Sequence, residues 1–467
     1  MSEGGYELYI DVSPGERRAA LVDPQGRLER LRIDRDGRPA FAETILQARV
    51  TAVDRQTGAA FLDLGPAGQG MLAKAAKLTE GAAITVQVTR EGHGSKGAAV
   101  TRAWCLTERY LSWTEGRKGV SWARALGQGK ARAELEQMLQ AALDAADDGT
   151  LADGLAVRAQ ALSADEKALA GDLARLAARR RAVQDAATGA KPPTVLEAAP
   201  EFARLAVRDA PADTRVATDD RLLVSRLRDR AEADWPDLAG AIAFSDPAKG
   251  ALFDRAGVSD ALEEALAREV AVPGGGRLII DRTEAMTVID VDSGRSVDGG
   301  GLKEEAVFRL NKRACEEAAR QIRLRNLSGL IVIDCVTLRA KGRQRALVES
   351  LRAAVKSDPV KTDVLGVTAG GLIEITRQRT GPGLAEIMRA PAGDLAPAPD
   401  AQAAAILRAA LRLNGPGTPV AVASEAVSRA FEGPLAAAKA DCERRLGRPL
   451  EIRHGADSVP PTVTLER

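Results

Sequence analysis

Aromatic residues are scarce in this chain: four Trp, three Tyr and seven Phe among 467 residues, or 3%. Its cores must therefore be filled largely by Leu, Val, Ile and Ala. Cysteine is scarcer still, with only Cys105, Cys315, Cys335 and Cys442. None forms a CxxC pair, which argues against a compact thiolate zinc site. Nothing suggests a disulfide framework, and a reducing compartment fits. The two histidines, His93 and His454, sit in no motif. The N-terminus lacks a basic stretch followed by an apolar run, so no secretory signal is expected. No apolar segment is long enough to span a bilayer. These absences predict a cytoplasmic protein with no membrane partner. Neither charge dominates: 66 Lys plus Arg face 65 Asp plus Glu, a net charge of +1. Any basic surface for nucleic acid must then be local and offset elsewhere.

What remains is a globular balance, 45% hydrophobic and 28% charged, in a chain too long for one ordinary core. Domain-size limits predict about three or more folded units. Tyr6–Val12 and Ala19–Val22 read as strands around a Pro14-Gly15 turn, an opening hairpin. From Ile45 to Arg102 short strands follow at Ala48–Val53, Ala59–Leu64, Ile84–Val88 and Ala98–Thr101. They are separated by turn-rich pieces such as Gly65-Pro66-Ala67-Gly68, a pattern that suggests a small barrel. Ala123–Ala146 and Ala164–Val183 look helical, the second with a basic run, Arg179-Arg180-Arg181, read as a solvated helix end. Lys191-Pro192-Pro193 reads as a linker. A helix at Pro200–Val207, a strand at Thr214–Ala217 and helical segments from Asp220 to Arg268 come next. The pattern then breaks at Pro273-Gly274-Gly275-Gly276.

Beyond that break, Arg277–Asp281 and Met286–Val291 read as strands and Lys303–Asn326 as a helix. Val307, Leu310, Ala314, Ala318 and Ile322 lie along one face of that helix. Leu330–Asp334 is an apolar run typical of a buried strand. A helix at Arg343–Val355 and strands at Asp363–Val367 and Leu372–Thr376 complete a βαβ unit with a hairpin behind it. Ala396-Pro397-Ala398-Pro399 marks a second linker, and 401–467 read as a small α/β tail.

Side chains alternate along a strand, so Asp290 and Asp292 share a face. Asp334 ends the next strand of the βαβ unit, and such strands are often neighbours. The three acids are therefore expected near one sheet edge, where open α/β sheets place their chemistry. Carboxylates meeting there suit a hard cation; magnesium takes few protein carboxylates, with waters and substrate phosphates completing its octahedron. The bland reading is that each Asp caps a turn or helix. The residues by themselves leave both readings open. A nucleotide hydrolase is disfavoured, because no G-x-x-x-x-G-K-[ST] is present.

At these residues the chain resembles the ribonuclease E/G family. The stretch from Glu284 to Arg295, the helix end from Ala319 to Asn326, Ile331-Val332-Ile333-Asp334 and Glu374-Ile375-Thr376-Arg377-Gln378-Arg379 are similar to family motifs, in family order. Ala60-Phe61-Leu62-Asp63, Lys96-Gly97-Ala98-Ala99 and Leu252-Phe253-Asp254-Arg255 fall in the same order. The resemblance implies an α/β multidomain fold: a split RNase H-like subdomain (1–40 and 191–270) into which an S1 barrel of the OB type (41–112) and a 5′-sensor region (113–190) are inserted. A DNase I-like catalytic subdomain (271–395) and a small C-terminal α/β domain (396–467) would follow. It implies magnesium-dependent endonucleolytic cleavage of single-stranded RNA. Asp290 and Asp334 would be the metal ligands, with Asp292 beside them as a third catalytic residue. Phe61, Lys96, Arg158, Lys361 and Arg295 would contact RNA.

The chain also departs from the family pattern. Asp292 stands where the family has Asn, an added carboxylate that would tighten the metal or repel the scissile phosphate. Arg158 matches the pocket arginine for a 5′-phosphate, but its Thr neighbour is Ala159, Lys361 replaces an Arg, and Glu108 replaces a Gly. An anion at that Gly position is expected to repel a terminal phosphate, so weak 5′-monophosphate sensing is predicted. Met71 replaces a second barrel aromatic, which leaves Phe61 as the base-stacking candidate; the alternative is that Phe61 belongs to the barrel core. The family's cysteine zinc link is absent after Leu384. No zinc link is therefore expected, a homodimer is allowed and the family tetramer is doubtful. A catalytically weakened RNA-binding scaffold of the same fold is the alternative function.

Overall fold

The computed structural model describes residues 5–37, 41–75, 77–92, 97–146, 151–294, 304–389, 397–457 and 461–466. The chain is a mixed α/β protein that folds into two compact units. One contains Ala40–Ala217 and Arg221–Phe244, and the other Tyr9–Pro39 and Ser245–Arg467.

In the first unit the strands Ile45–Asp54, Ala59–Asp63, Gln69–Leu72, Ala98–Thr101 and Ala83–Arg90 pair in that order. Antiparallel pairing of Ala83–Arg90 back onto Ile45–Asp54 closes them into a five-stranded barrel. Alternation fills its interior with Leu46, Ala48, Val50, Ala60, Leu62, Val86 and Val88. Gln69–Leu72 escapes a sequence reading, being four residues of Gln-Gly-Met-Leu directly after a turn. A sixth strand, Thr194–Glu197, pairs with Ile45–Gln47. Residues just beyond the predicted linker thus join the barrel sheet.

A four-stranded sheet follows, built from Cys105–Thr107, Leu111–Thr114, Leu155–Val157 and Ser121–Trp122. The expected limit at residue 112 falls inside its strand Leu111–Thr114. The first helix beside it runs Lys130–Asp144 and not from Ala123, because Gly127 (φ 57°) and Gly129 break the chain ahead of it. The second spans Glu166–Ala187, so Arg179-Arg180-Arg181 lies within the helix. Contrary to the solvated-end reading, Arg179 pairs with Glu108 (2.6 Å) and with Glu197, and Arg180 lies over the Trp113 ring at 4.7 Å.

The second unit holds most of the expected hairpin, Glu7–Ser13 with Glu16–Val22, extended by Leu28–Arg35. It also holds a six-stranded sheet in the order Glu269–Ala271, Arg277–Arg282, Met286–Asp292, Gly329–Asp334, Ile373–Arg377, Thr362–Val367. Helices Glu304–Leu324 and Lys341–Val355 pack on one face. They bury Ala314, Ala318, Ile322, Leu347 and Leu351 against Leu278, Ile289, Val291, Ile331, Ile333 and Ile375. Helices Pro399–Ala410, Glu425–Glu432 and Ala436–Leu446 cover a three-stranded sheet centred on Thr418–Ala423. Among the described residues no helix is long and apolar enough to cross a membrane.

Candidate active site

The site begins with a register. Met286–Asp292 and Gly329–Asp334 are parallel neighbours, and Asp290 lies directly opposite Asp334. Opposed residues point to the same face, and neighbouring strands are about 4.8 Å apart. Ile289, Val291 and Ile333 face the helix-packed core. The alternate residues, Asp290 and Asp334, are therefore exposed on the other face, at the C-terminal ends of the two strands. Partial burial, and then the carboxylates of Asp334 and Asp292, push the Asp290 carboxyl above its ordinary range. That mutual repulsion is what a bound cation would relieve. Among the described residues no group of three or more acids, histidines or cysteines is arranged to hold a metal. Among the described residues Asp290 and Asp334 form a two-carboxylate pair, which suits an ion that keeps most of its waters.

Asp292 shares that face but is not free. The antiparallel register places Arg277 directly across from it. Arg277 donates from Nε to Asp292 Oδ2 (2.8 Å) and pairs through Nη2 at 2.7 Å, while its Nη1 reaches Glu269 (2.9 Å). The other oxygen, Oδ1, accepts from the Gly294 backbone N–H at 2.9 Å. This backbone bond, followed by Arg277, holds the Asp292 carboxyl below the usual range, so it stays charged but paired. The glycine run upstream makes the approach possible. Gly276 has φ 84°, and a Cβ on it would sit 2.8 Å from the Asp292 carbonyl oxygen.

Asn311, fully buried on the inner helix, holds the chain that leaves Asp334. Its Nδ2 donates to the Val336 carbonyl (2.7 Å) and its Oδ1 accepts from the Val336 N–H (3.1 Å). Neither Arg277 nor Asn311 emerged from the sequence reading. Counting outward from the Thr283–Ala285 turn would have found the first. A polar residue interrupting an apolar helix stripe would have flagged the second.

Comparisons with known proteins give the family. The model of the ribonuclease E/G family matches residues 105–380. Ribonuclease G of Escherichia coli strain K12 is 31% identical over 403 residues, 80% of each chain. Ribonuclease E of the same strain is 31% identical over 394 residues, 79% of this chain and 36% of that one. Ribonuclease G of Haemophilus influenzae is 28% identical over 407 residues, 82% of this chain and 81% of that one. The chain belongs to the ribonuclease E/G family.

Several of the ribonuclease E/G motif residues turn out to be structural. Arg320 pairs with Glu317 and donates to the Leu28 carbonyl (2.6 Å). Arg325 donates to Gln321 and to the Ala267 carbonyl. Arg377 ties Asp358 (2.7 Å) to Asn326 and the Leu327 carbonyl.

The residues through which family resemblance implied RNA contact fare differently. Phe61 is 43% exposed on the outside of the barrel, and its cross-strand partner Met71 is 40% exposed. The core alternative for Phe61 is thereby excluded. Arg158 is engaged: Nη1 donates to the carbonyls of Glu108 (2.5 Å) and Arg109 (2.9 Å), and Nη2 to Asp209 Oδ1 (2.7 Å). Glu108 is fully buried, paired with Arg179 (2.6 Å), Arg204 (3.5 Å) and Arg175 (3.7 Å). It is an interior counter-ion and not the open, repelling anion expected from the sequence. Its position at the bend before Tyr110 turns the carboxylate inward, where it faces arginines from two helices. Lys361 is exposed and pairs with Asp363 at 3.5 Å. Lys96 and Arg295 lie outside the described residues.

Proposed function

We propose that this ribonuclease E/G family member is a magnesium-dependent endoribonuclease cutting single-stranded RNA in RNA processing or decay. The observation that carries this reading is the register pairing of Asp290 with Asp334 on an exposed strand-end edge. Magnesium bound there would polarise a phosphoryl oxygen and lower the pKa of an attacking water. Asp290 and Asp334 would hold and orient the ion. Asn311 fixes the chain beyond Asp334, and Phe61 offers an outward ring for a base to stack on. In the family architecture the barrel is the S1 domain and the six-stranded sheet the DNase I-like subdomain.

The same reading includes weak sensing of a 5′-monophosphate. Arg158, the pocket arginine, already donates to Asp209 and to two main-chain carbonyls. Ala159 has no hydroxyl to offer, and Lys361 is a point charge where the family has a guanidinium fork. With no zinc-link cysteines after Leu384, the protein is a zinc-free homodimer or monomer in the cytoplasm. A solution mass and a zinc analysis test that; a zinc-containing tetramer refutes it.

A second reading, an RNA-binding scaffold without cleavage, is favoured by Met71 beside Phe61, which narrows the stacking platform. Purified protein, unstructured RNA and magnesium, with Asp290→Asn and Asp334→Asn as controls, separate the two. Metal-dependent cleavage lost in both variants supports the nuclease. Binding without cleavage supports the scaffold.

A further inference from the structure

A third carboxylate at a phosphodiester site poses a problem. Asp292 lies two residues from Asp290 on the same face of the same strand, at the end where RNA phosphates must approach. An unpaired anion there repels the scissile phosphate and competes with it for the cation. A neutral hydrogen-bonding side chain would not.

Arg277 answers that problem with charge and geometry together. It comes from the adjacent strand at the position directly opposed to Asp292, so both side chains leave the sheet on the Asp290 face. Two guanidinium nitrogens reach the same oxygen, Oδ2, at 2.8 and 2.7 Å. The second oxygen is taken up by the Gly294 N–H at 2.9 Å. The carboxylate is thus fixed at both ends and its charge partly offset by a guanidinium shared with Glu269. Arg277 is itself steered by Glu269, whose Oε2 lies 2.9 Å from Nη1. A guanidinium is needed, because only its planar fork serves Asp292 and Glu269 at once.

We propose that Arg277 is a positioning residue of the nuclease site. It offsets part of the charge of Asp292 and pins the carboxylate, so that Asp290 and Asp334 alone hold the cation and phosphate meets no free third anion. The proposal rests on the reading of Asp290 and Asp334 as the metal pair. Arg277 acts through Asp292 and not by touching the reacting atoms. Removing it should therefore harm the site only while residue 292 carries a charge.

Four proteins test this: wild type, Arg277→Ala, Asp292→Asn and the double variant, with Glu269→Gln as a control for the outer contact. Two readouts are taken. One is binding of a fluorescent single-stranded RNA by anisotropy in EDTA, which needs no metal. The other is the magnesium concentration that half-saturates cleavage. Arg277→Ala should weaken metal-free RNA binding roughly three- to tenfold, the scale of one uncompensated surface charge near a phosphate. It should also alter the magnesium requirement, because a third free carboxylate joins the site. Asp292→Asn should restore both in the double variant to within about twofold of Asp292→Asn alone. Glu269→Gln should change neither by more than about twofold. The pair is half-exposed, so the melting temperature should hold in every variant. Arg277→Ala indistinguishable from wild type, or a double variant no better than Arg277→Ala, overturns the proposal. A wild type that binds RNA but never cleaves overturns the nuclease reading instead, and the binding readout still judges Arg277.

Discussion

Asp290 and Asp334 are direct register partners on the single parallel strand pair among the described strands of the six-stranded sheet. Parallel pairing brings two strand C-termini to the same edge, which an antiparallel pair cannot do. On the proposed reading the two carboxylates share one ion. Asp290→Asn and Asp334→Asn should each lower magnesium-dependent cleavage by roughly a hundredfold or more. Each should leave metal-free RNA binding within a few-fold of wild type. Gel assays of a fluorescent oligoribonucleotide, with anisotropy in EDTA, check both. Cleavage retained in either variant contradicts the assignment.

Phe61 stands outward on the barrel beside Met71. Phe61→Ala should cost about 1–3 kcal/mol of single-stranded RNA affinity. Stability should hardly change, because the ring is 43% exposed and outside the barrel core. Met71→Tyr should strengthen binding by adding a second ring. Titrations of oligo-RNA with thermal melts on the same samples decide; a large loss of melting temperature in Phe61→Ala would point back to a core role.

For Arg158 the bonded partners predict a structural role. Its removal takes one arginine from Asp209, which keeps Arg208, and a donor from two main-chain carbonyls. Arg158→Ala should therefore destabilise the fold by about 1–3 kcal/mol. Cleavage of 5′-phosphate and 5′-hydroxyl RNA should stay within about threefold of each other in wild type and variant alike, on the scale of one weak exposed ion pair. A large phosphate advantage in wild type that vanishes in the variant would show a working sensor.

Acid should unfold the second unit through Glu16. Burial opposes the charge of this side chain, but Arg408, Arg35 and Arg18 outweigh it and hold its carboxyl below the ordinary 4.5. The stabilisation is therefore full above about pH 4.5 and is lost as pH falls through the lower folded value. Glu16→Gln should flatten that acid limb. It should cost about 3–5 kcal/mol at neutral pH, since it removes the carboxylate that Arg408 and Arg35 share in the interior. Denaturant unfolding from about pH 2 to about pH 7 measures both. An unchanged acid limb in Glu16→Gln would place the pH sensitivity elsewhere.

Much of this was legible locally. The alternation of Ile289-Asp290-Val291-Asp292, the apolar run into Asp334 and the short-strand rhythm after Ile45 depend on residues a few positions apart. Strand, helix and barrel could be read from them, and the acids placed at an edge. The helix beginning at Lys130, the pairing of Arg179 with Glu108 and the Thr194–Glu197 strand could not. Each is decided by partners far along the chain.

The sequence by itself determined which residues carry charge, which face of each strand they take, and the family to which they belong. Only the tertiary structure decided what each charge meets: Asp290 beside Asp334, Asp292 clasped by Arg277, Glu108 sealed among arginines, Phe61 left outside. Backbone periodicity is a short-range property, whereas a charge takes its effect from whatever the fold sets a few ångströms away.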